Sequence, residues 1–232
     1  MLQTAVTRAS IQANWSPAFN APVASKSPLD ALDNLGTRVT VKRGQEIYAE
    51  GDNVDSCYKL VSGSVRLVKL MSDGQRQICE FLVPGDLLGF ETQDEHYFSA
   101  EAVTESVLIR YSRRSAELLI SENPAAARFV RTLTSTSLQG AYERMVLLCH
   151  KSAQERIAWF LLEMADRSNI EEGGCVDLPM TRSDIADYLG MVIETVSRVL
   201  TQLKQRGVIV MKSVNRIALV DREGLEDIAS AA

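Results

Sequence analysis

The sequence is poor in the residue types that build metal centres and disulfide frameworks. Among its 232 residues there are only four cysteines and two histidines. The cysteines are far apart in sequence and form no CxxC pair; they are Cys57, Cys79, Cys149 and Cys175. This spacing excludes a disulfide framework and the ligand pairs typical of zinc or iron–sulfur sites. We therefore predict no metal site and no cofactor.

The individual cysteines and histidines have different sequence surroundings. Apolar neighbours of Cys79 and Cys149 predict core thiols. Cys175 follows two glycines in a predicted loop, so it is the thiol that we expect to be exposed and open to oxidation. His96 and His150 are too few for a haem site, and we expect them at the surface or at a helix end.

Long apolar runs and catalytic motifs are also missing. No run approaches the roughly 20 apolar residues that span a bilayer, and the N-terminus lacks the basic-then-apolar order of a secretory signal. We therefore expect a cytoplasmic protein without a membrane partner. The sequence has no P-loop, nucleophile elbow, HExxH motif or paired catalytic carboxylates. Hence we predict no catalytic residue and no enzyme.

The charge of the chain is unevenly distributed. The formal net charge is −5, which by itself disfavours a nucleic-acid partner. Residues 198–222, however, contain a single carboxylate, Asp221, and six cations: Arg198, Lys204, Arg206, Lys212, Arg216 and Arg222. A basic patch on an acidic body indicates sequence-selective DNA binding better than general coating of nucleic acid.

Turn signals divide the first half of the chain. Residues 1–27 are rich in Ala, Ser, Thr, Asn and Pro and predict a flexible N-terminal extension. Residues 28–122 contain short alternating β-type runs separated by glycines, and Asp73-Gly74 is the strongest hairpin signal. This pattern predicts an antiparallel β-roll, similar to the jelly roll of cupins, as a sensor-like domain.

A long helix is predicted over residues 123–150, because Asn123 can cap a helix that begins at Pro124. Its apolar and small residues recur at steps of three and four, as in a coiled-coil seam: Val130, Thr134, Leu138, Ala141, Met145 and Leu148. The alternative is a helix that packs only on its own roll. Phe129 and Leu133 form a second stripe for that contact, so we assign the seam to the interface of a homodimer.

Residues 151–232 predict a winged helix-turn-helix and make the overall fold class α+β. Thr181 begins a short helix that Gly190 ends, and a second helix follows from Ile193 to Gln205. Two strands around residues 212–215 form a wing with a basic tip, and a last helix begins near Asp221.

The second helix has an exposed polar face. Glu194 and Arg198 are four residues apart near its start, and Ser197 lies beside them. Arginine recognises guanine O6 and N7, and a carboxylate accepts from cytosine N4, so the three residues are candidates for reading bases. The alternative is a solvated salt bridge between Glu194 and Arg198. Six further residues are candidates for phosphate contacts: Thr181, Arg182, Thr195, Lys204, Lys212 and Arg216.

The segments MTRSDIADYLG and IETVSR resemble the helix-turn-helix of Fnr-type regulators, in which an E-x-x-S-R motif reads the operator. GDLLGFE at residues 85–91 resembles the roll of the same proteins. The resemblance is to the Crp/Fnr superfamily and covers about residues 30–230 of this chain. It is greatest to the FixK branch, whose members activate microaerobic and nitrogen-fixation genes. It implies a homodimer on a TTGA-N6-TCAA-like palindrome that recruits RNA polymerase, for which the 168–175 loop is the candidate surface.

Three departures limit what the resemblance implies. No cysteine precedes Cys57, so we predict no iron–sulfur cluster. Residues 97–99 read Tyr-Phe-Ser where Crp-type relatives hold the cyclic nucleotide phosphate with an arginine, and Phe98 is expected to fill that space. Val192 stands where these relatives have a capping Ser or Thr, and the missing cap is expected to lower the stability of the helix start by about 1 kcal/mol.

The alternative function is a sensor whose DNA binding requires a cyclic nucleotide or haem.

Overall fold

The computed structural model describes residues 36–91, 93–168 and 174–230. The predicted extension over residues 1–27 lies outside these ranges. Most of the 168–175 loop, the candidate surface for RNA polymerase, also lies outside them, because residues 169–173 are not among those described. Within the described ranges, no helix combines the length and apolar character that a membrane crossing requires.

The first part of the fold is an antiparallel β-roll of two four-stranded sheets, as predicted. One sheet has the strand order β1-β8-β3-β6 and the other β2-β7-β4-β5. The strands are β1 (Thr37–Val41), β2 (Glu46–Tyr48), β3 (Ser56–Ser62), β4 (Val65–Leu70), β5 (Arg76–Leu82), β6 (Leu87–Leu88), β7 (Ser99–Ala102) and β8 (Ser106–Ser112).

Alternation of apolar and polar residues explains how the roll closes on its core. Leu60, Val65 and Leu108 are fully buried between the sheets. The predicted hairpin at Asp73-Gly74 joins β4 to β5, and Gly74 has φ +83°, a conformation that favours glycine. At Gly63 (φ +90°) a Cβ would lie 2.7 Å from the Ser106 Cα, so only glycine fits there.

Three helices follow the roll: α1 (Arg113–Glu122), α2 (Pro124–His150) and α3 (Ala153–Arg167). The predicted start of the long helix α2 is confirmed, since the Asn123 side chain accepts from the Ala125 amide at 2.9 Å. One side of α2 packs inward through Ala126, Gly140 and Leu147. Four of the six predicted seam residues are exposed, and two are half-buried. The exposed ones are Thr134, Leu138, Ala141 and Met145; the half-buried ones are Val130 and Leu148.

The remaining described residues form the winged helix-turn-helix that the sequence predicts. They comprise β9 (Cys175–Asp177), α4 (Arg182–Leu189), α5 (Ile193–Gln205), β10 (Ile209–Ser213), β11 (Arg216–Leu219) and α6 (Arg222–Ser230). The three strands form a sheet in the order β10-β11-β9. Apolar residues of α3 to α6 share one core, which also includes Phe81 of the roll.

Three predictions about single side chains are wrong. Cys149 is exposed rather than buried, because its apolar sequence neighbours belong to other faces of α2. Cys175 is not in a loop but in β9, where it pairs with Ala218 and is half-buried. His96 is buried, with its ring stacked on Tyr48 at a centroid distance of 3.7 Å. The prediction for His150 holds, since it lies exposed in the last turn of α2.

Candidate nucleic-acid interface

The first helix of the motif, α4, begins with the predicted capping box. Thr181 Oγ1 accepts from the Asp184 amide at 3.1 Å, and Asp184 Oδ2 accepts from the Thr181 amide at 2.9 Å. The helix ends at Gly190, which has φ +61° and turns the chain toward α5. A left-handed residue at this point is what a tight turn between two packed helices requires.

The second helix, α5, is positioned by its apolar stripe. Four residues of the stripe are buried against the domain core, as predicted: Val196, Val199, Leu200 and Leu203. Val192 is the N-cap residue and provides no side-chain hydrogen bond to the first turn. The start of α5 therefore lacks the capping oxygen that stabilises α4, as expected from the sequence.

The opposite face of α5 carries the candidate base-reading residues. Glu194 and Arg198 are both exposed, and Ser197 is half-buried beside them. Arg198 Nη2 donates to Thr195 Oγ1 at 3.4 Å. Among the described residues, no ion pair links Glu194 to Arg198, so the salt bridge considered as the alternative is not formed here. Both side chains point away from the core and are accessible to a partner.

The candidate phosphate contacts lie on α4, α5 and the wing. Lys204 and Lys212 are exposed at the end of α5 and in the wing. Arg216 is exposed and lies 3.6 Å from the Asp177 carboxylate. Arg182 is half-buried in the first turn of α4. The structure thus places cations on α4, on α5 and on the wing.

The basic patch is smaller than the sequence indicates. Arg222 forms an ion pair with Asp166 of α3, and its Nε lies 2.9 Å from Glu226. Arg206 Nη1 lies 3.4 Å from Gln154 Oε1. Arg222 therefore holds α6 against α3, and its charge is compensated within the protein. A count of charges along the sequence does not reveal such long-range pairing.

Sequence reasoning also missed a contact that docks α4 on the roll. Arg66 Nη1 of β4 lies 2.8 Å from Asp184 Oδ1, and Arg76 Nη2 of β5 lies 2.7 Å from the same oxygen. Arg76 Nη2 also lies 2.6 Å from Asp187 Oδ2. Burial alone would raise the pKa of Asp184, but the Thr181 hydrogen bonds and the two arginines lower it.

A buried ionic network extends behind this contact. Arg144 of α2 lies 2.7 Å from Glu80 of β5, and Arg167 of α3 is paired with Asp86. Tyr188 of α4 donates to Glu163 of α3 at 3.3 Å. Burial raises the pKa of Glu163 to about 7. The network joins the roll, the long helix and the helix-turn-helix in one packed region.

Aromatic rings lie in the part of the roll where the sequence resembles the nucleotide-binding segments of Crp-type relatives. His96 Nδ1 lies 3.4 Å from Glu91 Oε2, and both atoms are buried. Phe98 is half-buried and meets Tyr97 edge-on at a centroid distance of 4.9 Å. A Cβ on Gly89 would lie 2.8 Å from the Ser56 carbonyl oxygen, so the backbone is tightly packed here.

Comparison with known protein families assigns both halves of the chain. The family described as "Crp-like helix-turn-helix domain" matches residues 155–228, and the "Cyclic nucleotide-binding domain" matches residues 38–123. The nitrogen fixation regulation protein FixK of Azorhizobium caulinodans is 41% identical over 221 residues. That alignment covers 93% of this chain and 89% of the relative.

Solved structures agree with this relationship. FixK2 from Bradyrhizobium japonicum superposes with a TM-score of 0.80 at 38% identity, covering 85% of this chain and 98% of that chain. A transcriptional regulator of the CRP family from Thermus thermophilus gives a TM-score of 0.68 at 28% identity, covering 84% and 97%. The chain thus shares its fold, its helix-turn-helix and its sequence along most of its length with these regulators. The chain belongs to the Crp/Fnr family of transcription regulators and is a FixK-like member of it.

Proposed function

We propose that this regulator binds a TTGA-N6-TCAA-like palindrome as a homodimer and activates transcription. Glu194, Ser197 and Arg198 read the bases of each half-site from the start of α5, which enters the major groove. The observation that carries this proposal is the exposure of Glu194 and Arg198 on one face of α5. Arg198 bonds a guanine, and Glu194 accepts from a cytosine of the neighbouring pair.

The phosphate contacts orient α5 in the groove without reading sequence. We assign this role to Thr181 and Arg182 at the start of α4, and to four residues of α5 and the wing: Thr195, Lys204, Lys212 and Arg216. In favour of this assignment, Lys204 and Lys212 are exposed and make no ion pair with any described residue. The FixK name of the relatives suggests genes of nitrogen fixation as targets.

The homodimer is formed through the seam of α2. Leu138 and Met145 leave 52% and 57% of their surface exposed, and contiguous exposed apolar residues mark interaction surfaces. Tyr142, at 57%, widens the same face. A two-fold axis along α2 places two copies of α5 about one helical turn of DNA apart, ~34 Å, which matches the two halves of a palindrome.

The test of base reading is a binding titration on the palindrome and on a duplex with scrambled half-sites. Arg198→Ala and Glu194→Ala are each expected to reduce discrimination between the two duplexes by about 1–3 kcal/mol. Lys204→Ala is the matched control, because removal of a phosphate-binding cation weakens binding to both duplexes alike. Equal discrimination by wild type and Arg198→Ala would contradict the proposal.

The finer steps of activation rest on the same proposal. Transcription regulators act on the chromosome, so we propose that the protein is located in the cytoplasm.

Recruitment of RNA polymerase would follow DNA binding, and the 168–175 loop is the candidate surface for this contact. In-vitro transcription from a promoter that carries the palindrome tests this step, with deletion of residues 169–173 as the variant.

The second candidate function is a regulator whose DNA binding requires an effector in the roll. The match of residues 38–123 to the cyclic nucleotide-binding domain favours it. Isothermal titration with cyclic nucleotides and an absorption spectrum for haem separate the two functions. Saturable binding of an effector that raises DNA affinity would support the second function, and operator binding without any effector supports the first.

A further inference from the structure

A surface cleft of about 560 Å³ lies where the long helix α2 meets two helices of the DNA-binding domain, α3 and α6. Sites that hold small organic molecules have volumes of ~300–1,000 Å³. Apolar residues of all three helices form part of its wall: Val146, Leu147, Trp159, Leu162 and Ala229. The cleft therefore has the size and the apolar surface to hold the body of a small ligand.

The cations in the wall of the cleft are compensated within the protein. Arg222 forms an ion pair with Asp166, and its Nε lies 2.9 Å from Glu226 Oε1. Lys151 Nζ lies 3.1 Å from Glu155 Oε1. Because each of these cations already has a carboxylate partner, the wall is poorly suited to an anionic ligand.

Three carboxylates of the wall, in contrast, make no ion pair with any described residue: Glu143, Glu163 and Asp227. Glu163 is only 5% exposed, and its Oε2 accepts from Tyr188 Oη at 3.3 Å. Glu143 Oε1 accepts from Gln139 Nε2 at 3.0 Å. Neutral donors thus hold two of the carboxylates in position without an opposite charge. A cation beside Glu163 favours its ionised form.

The face of α2 that borders the cleft is not the face of the seam. Glu143 and Leu147 border the cleft, whereas Ala141 and Met145 belong to the seam. At about 100° per residue, the two pairs lie ~160° apart around the helix. A partner helix on the seam therefore leaves the cleft open, a conclusion that rests on the proposed function.

We propose that this cleft binds a small organic cation, a primary amine on an aromatic body. The ammonium group is attracted by the three carboxylates, and the aromatic body packs on Trp159 and Leu162. Since α2 ends at His150 and α3 begins at Ala153, the ligand contacts both sides of the connection between the long helix and the DNA-binding domain. It stabilises their arrangement by mass action.

The test is a titration of the full chain with 2-phenylethylamine and with its neutral analogue 2-phenylethanol. The Trp15→Phe background leaves Trp159 as the only tryptophan of the chain, so its emission reports on the cleft. Saturable binding of the amine with a Kd of about 1 mM or lower is expected, and at least about tenfold weaker binding of the alcohol. In the Glu143→Gln/Asp227→Asn variant the amine should bind at least about fivefold more weakly, and the alcohol as before.

The matched control is Glu95→Gln/Glu105→Gln, which removes the same charge from exposed positions of the roll. It is expected to leave the amine affinity unchanged. Equal affinities for amine and alcohol, or an unchanged amine affinity in the cleft variant, would overturn the inference. The titration contains no DNA, so either result leaves the reading of the operator untouched. Amine binding by a Leu138→Glu monomer but not by the dimer would support the site and contradict the proposed seam.

Discussion

Arg76 of the roll and Asp184 of the helix-turn-helix lie 2.7 Å apart, although 108 residues separate them in sequence. Asp184 at the same time completes the capping box of α4 and is almost fully buried. One carboxylate thus begins a helix of the DNA-binding domain and docks that helix on the other domain. Changes to it should affect stability through both roles.

Asp184→Ala is expected to lower the free energy of unfolding by about 2–3 kcal/mol. Loss of the cap accounts for about 1 kcal/mol, and the remainder arises because Arg66 and Arg76 lose a buried partner. Urea denaturation measures the change. Asp187→Ala serves as the control, since it removes a partner of Arg76 but keeps the cap, and a decrease of about 1 kcal/mol is expected. Equal losses in the two variants would count against the dual role.

Glu163 is expected to make stability dependent on pH. Its pKa is raised to about 7 by burial, whereas in the unfolded chain it ionises near pH 4.5. The folded state therefore holds the proton more tightly, and its stability falls as pH rises from about 4.5 to about 7.

Comparison of wild type with Glu163→Gln isolates this contribution, because glutamine can still accept from Tyr188 but does not titrate. The variant should gain on the order of 2 kcal/mol relative to wild type between about pH 5 and pH 8. Urea denaturation at several pH values measures the difference. A difference that stays constant with pH would show that Glu163 does not titrate in this range.

Val192→Ser should stabilise the protein by about 1 kcal/mol, because the hydroxyl supplies the missing cap at the start of α5. Val192 is 62% exposed, so its removal forfeits little burial. Thermal unfolding detects the gain, and Val192→Ala is the control that removes the valine without adding an acceptor. The same melting temperature for the two variants would refute a capping effect.

Leu138→Glu is expected to weaken the dimer and, with it, operator affinity by at least about tenfold, since it places two carboxylates across the proposed seam. Analytical ultracentrifugation measures the monomer–dimer equilibrium. Thr132→Glu adds the same charge on an exposed position of α2 away from the seam and should leave the dimer intact. If the Leu138→Glu protein is still fully dimeric, the seam is not part of the dimer interface.

Redox control at Cys175 stays a prediction. Its half-buried position in β9 should make it react more slowly than the exposed Cys149. A mobility-shift assay in reducing and oxidising buffer, with Cys175→Ser and Cys149→Ser, assigns any decrease in operator binding to one thiol. A decrease that persists in Cys175→Ser but disappears in Cys149→Ser would exclude Cys175 as the switch.

Local signals in the sequence were reliable where neighbouring residues determine the structure. The Asn123 and Thr181 caps, the Gly190 turn, the Asp73-Gly74 hairpin and the bounds of α5 are all observed as predicted. Each depends on hydrogen bonds or backbone conformations within a few residues. Burial of single side chains was less predictable. The prediction for His96 is wrong because its burial depends on a strand distant in sequence. The prediction for Cys149 is wrong because its apolar neighbours in sequence lie on other faces of α2.

The sequence by itself determined the fold class, the helix-turn-helix and the residues on the exposed face of α5, since periodicity and caps are local properties. Only the tertiary structure decided which charges are available to DNA. It paired Arg222 with Asp166 and bound Asp184 to Arg66 and Arg76. The physical reason is that electrostatic interactions act through space between residues whose separation along the chain carries no information about their distance.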